Sequence, residues 1–279
     1  MSDAPAEPHA RLDDLLATLD EIKIARPAAV QVIACVDDPN ANAQKVAHTI
    51  EVDPAMTAQI MKLANSAFYG VSGRVGNTAF AVTVIGFSAV RSLAAVNATG
   101  LDRPGVPVPE GFWRHAASAA AGSSAVAGIV GIPVGDAFAA GLLHDLGLAL
   151  LHGFDQATHR ELIAQYGGDG FALRCAEEVT FGMGHDAVAA RVLEAWRFPE
   201  AFVTGVACHH VLPAEPSDFV RVVAAGDAIA ALIEETHVEG EDPVFVLERM
   251  GIPAGVVPDL VETAAARATE IMASLPGGS

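Results

Sequence analysis

AFAAGLLHDLGLALLHG, residues 137–153, decides how the chain reads. The run is apolar at nearly every position, and its content of alanine and leucine predicts one helix from Pro133 to about Leu151. His144 and Asp145 interrupt it side by side. Two adjacent polar groups in such a helix are costly to bury unless something satisfies them. A metal ion would do so, and so would a set of hydrogen bonds. Neighbouring side chains on a helix point about 100° apart, so both can reach one metal only if it sits over the edge between them.

The rest of the chain carries a similar signature. Of its 279 residues, 52% are hydrophobic and only 6% aromatic. Abundant alanine with leucine, valine and glutamate, and no long β-branched runs, predicts an all-α protein. The length suffices for a sizeable core in one large or two modest domains. A formal net charge of −18 argues against direct binding to nucleic acid or to an anionic membrane. Cys35, Cys175 and Cys208 form no CxxC and no even set, which fits a reducing cytoplasm. The polar start MSDAPAEPHARLDD lacks the apolar core of a signal peptide. The apolar region 115–152 is broken by Gly131, Pro133, Gly135 and Asp136, and reads as buried helices of a soluble protein.

Residues 1–10 read as a disordered tail. Leu12, Leu15, Leu16 and Leu19 then recur at helical spacing, Pro27 opens a second helix, and residues 42–51 form a third. Asp53 caps a fourth, with Pro54 at its first position. Asn77 or Thr78 caps a helix that Gly86 ends, and another runs from Ser88 to about Thr99. LDRPGVPVP, residues 101–109, reads as a linker between packed helical lobes at 11–100 and 110–235, with 236–279 a C-terminal helical extension. Helices are expected from Glu110 to Gly131, over 155–166 and 169–181, from Gly184 through Trp196, from Pro199 to Cys208-His209-His210, and from Phe219 to about Glu235.

On these apolar helices lie His115, His144, Asp145, His185, His209, His210 and Asp227. Imidazole and carboxylate together suit zinc, iron or manganese, and helical bundles build such sites from facing helices. A single core histidine is ordinarily satisfied by hydrogen bonds; seven such groups leave the structural and the metal readings both open. His48, His152, His159 and His237 fall on polar faces or beside helix ends and read as surface groups, and His9 lies in the tail. Trp113 and Trp196 read as core. No P-loop, GxGxxG or GxSxG occurs in a usable context, and no residue is assigned as a catalytic nucleophile or acid/base pair.

DDPNANAQKVAHTIEVDPAMTAQIMKLANSAFYG (37–70), followed by AVTVIGFSAVRSL (81–93), resembles the opening half of the HDOD family, the HD-related output domains. The series His115, His144-Asp145, His185, His209-His210, Asp227 is similar to that of the HD superfamily of metal-dependent phosphohydrolases, including the HD-GYP phosphodiesterases. The resemblance covers about residues 11–235 and implies an HD-like bundle as the second lobe. It implies a first metal on His115, His144, Asp145 and Asp227, and a second on His185, His209 and His210 with Asp145 bridging. One or two divalent cations (Fe, Mn or Zn) would be the cofactors, activating water for attack on a phosphodiester.

Three departures bear on activity. Leu148 stands where HD-GYP enzymes carry the lysine of HDxGK. Val211-Leu212-Pro213-Ala214-Glu215-Pro216 follows the histidine pair, so the GYP segment is missing. No cluster of Lys or Arg accompanies the motifs; Arg114, Arg191 and Arg197 are nearest in sequence and read as solvated. The resemblance then implies a stand-alone bacterial signalling protein, an output module that binds a protein partner or a nucleotide second messenger such as cyclic di-GMP through a degenerate HD site. The alternative is a metal-dependent phosphohydrolase acting on cyclic dinucleotides or nucleotides. A third reading holds the metal as a structural staple. The segment after 236 is expected either to cap the core or to support a homodimer.

Overall fold

The computed structural model describes residues 8–22, 26–103, 105–168, 170–236 and 242–276, and every regular element among them is helical. Two packed helical lobes result. Residues 1–7 of the expected tail lie outside the described residues, and Pro8 already begins a helix.

The first lobe contains α1 (Pro8–Ile22), α2 (Pro27–Val36), α3 (Ala43–Ile50), α4 (Pro54–Ala64), a 3-10 turn at Ala67–Tyr69, and α5 (Thr78–Thr99). Local chemistry sets the starts. The Asn42 side chain accepts from the amide of Lys45, Asp53 from those of Ala55 and Met56, and Asn77 from that of Phe80. α2, α3 and α4 bury Val32, Ile33, Val46, Ile50, Met56, Ile60 and Leu63 and pack against α5. Gly86, at φ 80° and ψ 164°, breaks α5 into two helical segments at the residue where one helix was expected to end. α1 crosses to the second lobe and packs against α10 (Phe171–Phe181).

The second lobe is built around α6 (Phe112–Val130), which is flanked by α7 (Val134–Leu143), α13 (Asp218–Glu234) and α15 (Val257–Met272). Between them run α8 (Leu146–Phe154), α9 (Gln156–Tyr166), α10, α11 (His185–Ala195), α12 (Glu200–Ala207) and α14 (Pro243–Arg249). The small residues of α6 let its neighbours come close. A Cβ on Gly226 of α13 would overlap the Ser123 hydroxyl of α6. Each buried alanine contributes only about 0.8 kcal/mol, so this lobe depends on many close helix contacts and few large side chains. Trp113 and Trp196 are buried in the core, as expected.

α15 lies along α6 and reaches the 3-10 turn of the first lobe, where the Arg267 guanidinium sits 5.5 Å from the centre of the Phe68 ring. Thr78–Thr99 and Val134–Phe154 are long and apolar enough to cross a membrane by composition, and are 56% and 83% buried inside the fold.

The stretch that decided the reading departs from one expectation. It is not a continuous helix: α7 ends at Leu143, α8 starts at Leu146, and His144 and Asp145 form the joint.

Candidate metal centre

The joint is what makes an adjacent His-Asp pair usable. His144 keeps helical torsions (φ −58°, ψ −40°), whereas Asp145 swings to φ −98°, ψ 16°. The two side chains reach the same point, with His144 Nε2 and Asp145 Oδ2 3.4 Å apart. His144 Nδ1 donates to the Gly141 carbonyl at 2.8 Å, which leaves its Nε2 as the acceptor, turned toward His115 and Asp145.

Three further elements bring the first group together. His115 comes from the first turn of α6, and its Nε2 lies 3.3 Å from His144 Nε2 and 3.2 Å from Asp227 Oδ1 on α13. Asp145 Oδ2 is 3.5 Å from His115 Nε2 and 3.4 Å from His144 Nε2. The second group gathers around the other oxygen of the same carboxylate. Asp145 Oδ1 is 3.4 Å from His209 Nε2 and 3.8 Å from His185 Nε2, and His185 Nε2 is 3.0 Å from His210 Nε2. The seven residues singled out from the sequence therefore meet as two adjoining groups with Asp145 between them.

Gly147 permits that meeting. A Cβ there would overlap the His185 carbonyl oxygen and lie 2.8 Å from the Ala189 amide nitrogen. Only glycine lets α8 lie this close to the first turn of α11, and that approach carries Asp145 to His185.

Four imidazoles are fixed from behind. Besides His144, His209 Nδ1 faces the Val206 carbonyl at 2.6 Å, His185 Nδ1 faces Glu177 Oε2 at 2.6 Å, and His115 Nδ1 faces Glu234 Oε2 at 3.4 Å. A partner on Nδ1 sets the tautomer that turns Nε2 toward a cation, as outer partners do in metal sites. Burial works against a charge on His115, but Asp227, Glu234 and Asp145 outweigh it and hold its pKa well above the ordinary 6.5. Burial dominates at His144 and pushes its pKa down. For Glu177 burial is outweighed by His185 and His159, and its pKa falls below the ordinary 4.5.

These residues fit divalent cations. His209 Nε2 is buried with no hydrogen bond, an arrangement that costs free energy unless something else satisfies it. The donor set is mixed imidazole and carboxylate, as suits Zn, Fe or Mn.

A cleft of about 780 Å³ opens over the groups, with His115, Asp145, His209, His210 and Asp227 in its lining. Leu148, in place of a lysine, forms part of the wall. Exposed Tyr166, Phe171 and Phe245 line it as well. Two arginines also line it, and of these only Arg249 was not among the residues singled out near the motifs. One is Arg114. The other, Arg249, is delivered by α14 and donates to the Leu212 and Pro213 carbonyls, each at 3.1 Å. Arg191 and Arg197 are exposed and lie outside the cleft lining.

The minor histidines divide. His48 is exposed, as expected. His152 and His159 are buried, contrary to their expected surface role, because α10 folds back over the face of α9 that carries His159. The side chain of His9 and all of His237 lie outside the described residues. Glu177 and Glu234 were not foreseen; each sits on an amphipathic helix among other acidic residues, and only the fold shows which carboxylate turns inward.

A family model for the HDOD domain matches residues 25–212. The chain belongs to the HDOD family. An uncharacterized protein of Treponema pallidum (strain Nichols) is 20% identical to this HDOD chain over 234 residues, 83% of the chain and 45% of the relative. The chain thus spans under half of that relative's length. A crystal structure from Shewanella amazonensis SB2B, provisionally named a phosphohydrolase, superposes with a TM-score of 0.75 at 21% identity, covering 94% of this chain and 98% of that one. A protein of Marinobacter aquaeolei VT8, provisionally named for signal transduction, superposes with a TM-score of 0.68 at 20% identity, covering 98% of this chain and 66% of that one. At these identities the likeness establishes the fold.

Proposed function

We propose that this HDOD protein is a bacterial signalling or regulatory protein whose HD site is a working two-metal centre that hydrolyses a phosphate ester. The observation that carries the reading is the convergence of seven donors, with four imidazoles set from behind to present Nε2. A site drifting free of metal has no reason to keep this arrangement. Divalent cations held there would lower the pKa of water and neutralise charge on a phosphoryl group.

The chain's own residues do the rest. Asp145 gives one oxygen to each group and so sets their separation. Gly141, Val206, Glu177 and Glu234 keep the imidazoles from rotating. Arg114 and Arg249 attract and orient the anionic part of the substrate. Leu148 and the aromatic side chains of the lining exclude water and favour a substrate with an apolar or planar part. Free Cys35, Cys175 and Cys208 support a place in a reducing cytosol.

Elemental analysis of untagged protein tests the reading, followed by hydrolysis of bis-p-nitrophenyl phosphate with added Mn²⁺. One or two metals per chain, lost in Asp145→Ala, with hydrolysis lost in His144→Ala, would support it. Wild-type protein that neither carries nor takes up metal would refute it.

Leu148 favours a second reading, a module that binds a phosphorylated ligand or second messenger in the cleft without turning it over, because this leucine cannot donate to a phosphate. It requires saturable binding of a nucleotide with no product formed in the presence of Mn²⁺.

A further inference from the structure

Behind the second donor group lies a row of buried polar groups. Glu177, fully buried on α10, accepts from both the backbone amide of His185 at 2.8 Å and its Nδ1 at 2.6 Å through the same oxygen. Its other oxygen faces His159 Nε2 of α9 at 2.9 Å. His159 Nδ1 in turn lies 3.2 Å from His152 Nδ1 of α8. His159 is itself fully buried and His152 nearly so.

This row of three groups ties together the helices that surround His185. α8 carries both Asp145's flank and His152; α9 carries His159; α10 carries Glu177. Arg174, one turn before Glu177, pairs with Asp186 at 2.9 Å and fixes α10 to the residue beside His185. An isolated buried carboxylate would hold His185 in one tautomer only if the carboxylate stayed charged, and burial alone opposes that. His159 supplies the second donor that keeps it charged. Between the two facing Nδ1 atoms one proton must be shared, so His152 in turn decides which way the His159 ring faces.

Resting on the two-metal reading above, we infer that Glu177, His159 and His152 form a positioning relay that governs loading of the second metal position alone. The first position, held by His115, His144 and Asp227, is independent of it. Ile163 and Tyr166 extend α9 from His159 into the lining of the cleft, so the same relay sets one wall of the substrate site.

The test is calorimetric titration of metal-free protein with Mn²⁺, repeated with Co²⁺ while recording its visible absorption. His159→Leu removes the donor to Glu177, His159→Gln restores one, and Glu177→Gln removes the charge. In wild-type protein two binding events are expected. Glu177→Gln and His159→Leu weaken one of them by about 10- to 100-fold and leave the other unchanged, with the matching loss of one Co²⁺ spectrum. His159→Gln recovers most of that loss. Two unaltered events in a folded His159→Leu protein would overturn the inference.

Nitrogen-15 NMR of the His185 ring in the metal-free protein gives a readout that does not depend on metal. Proton on Nδ1 in the wild type, shifting toward Nε2 in Glu177→Gln and His159→Leu, supports the relay even if the wild type takes up no metal and the two-metal reading fails. Unchanged tautomers in both variants overturn it.

Discussion

Gly147→Ala sets local propensity against tertiary packing. Gly147 has ordinary helical torsions inside α8, so helix propensity alone favours alanine by about 1 kcal/mol. The fold opposes it. A Cβ would overlap the His185 carbonyl oxygen and come within 2.8 Å of the Ala189 amide and the His185 carbonyl carbon, where ordinary contact begins at 3.4 Å. The clash is with backbone, so no side chain can swing aside, and α8 must move from α11 by roughly 1.5 Å to bring the 1.9 Å approach to the His185 carbonyl oxygen back to ordinary contact. Overpacking of this kind costs about 1–3 kcal/mol. An overlap this deep lies at the upper end of that range, so a drop of about 2 kcal/mol remains, or about 4–8 °C in melting temperature for a chain of this size. Metal sites tolerate only about 0.2 Å, so the same shift pulls Asp145 from His185 and empties the second position. The first position keeps His115, His144 and Asp227, which lie on α6, at the end of α7 and on α13. Calorimetry of metal-free protein and elemental analysis after dialysis against Mn²⁺ read the two effects. A melting temperature equal to or above wild type, with two metals per chain retained, would refute the reasoning.

Chelation should lower the melting temperature of the loaded protein by about 5–11 °C if metal was present at about 100-fold over its dissociation constant, measured with and without EDTA; no change means no bound metal. In metal-free protein the raised pKa of His115 gives stability that is complete below 6.5 and is lost as pH rises through the folded value. His115→Gln should therefore flatten the decline of the urea midpoint as pH rises above 6.5, and an unchanged slope would place the titration elsewhere. Arg249→Ala should raise KM for a phosphodiester about 10-fold with kcat within about 2-fold; steady-state kinetics decides, and an unchanged KM removes Arg249 from substrate binding.

What the sequence disclosed follows the range of the physics involved. Caps at Asp53 and Asn77 and the stop at Gly131 depend on a few neighbouring residues and were legible. So was the all-α architecture, which rests on composition and periodicity. The joint at His144-Asp145 was not. No Gly or Pro lies between Leu143 and Leu146 to mark it, and the break comes from α8 turning to pack against α11. The burial of His152 and His159 likewise comes from α10 folding back over α9, whereas their sequence neighbours are polar. Arg249 lies more than a hundred residues from the HD pair, and only the packing of α14 against α13 brings it to the cleft. The seven clustered residues were visible because their types are unusual in apolar helices; the carboxylates behind them, Glu177 and Glu234, are not unusual in theirs.

The decisive contrast lies between a metal centre and a set of structural histidines. Hydrogen-bonded core histidines would turn their nitrogens toward carbonyls and hydroxyls. Here the Nδ1 atoms of His144 and His209 face carbonyls and those of His115 and His185 face carboxylates, while the Nε2 atoms face one another around Asp145 and Asp227. Buried ionic clusters are weak sources of stability, and well-packed apolar replacements are often neutral or stabilising by about 1–4 kcal/mol. Converting His144→Leu and Asp145→Leu together therefore separates the two accounts. If the cluster exists to hold cations, the double variant melts at or above metal-free wild type and below metal-loaded wild type, because wild-type stability comes from the ions. If the histidines are structural, the double variant melts below metal-free wild type, and adding Mn²⁺ moves neither protein.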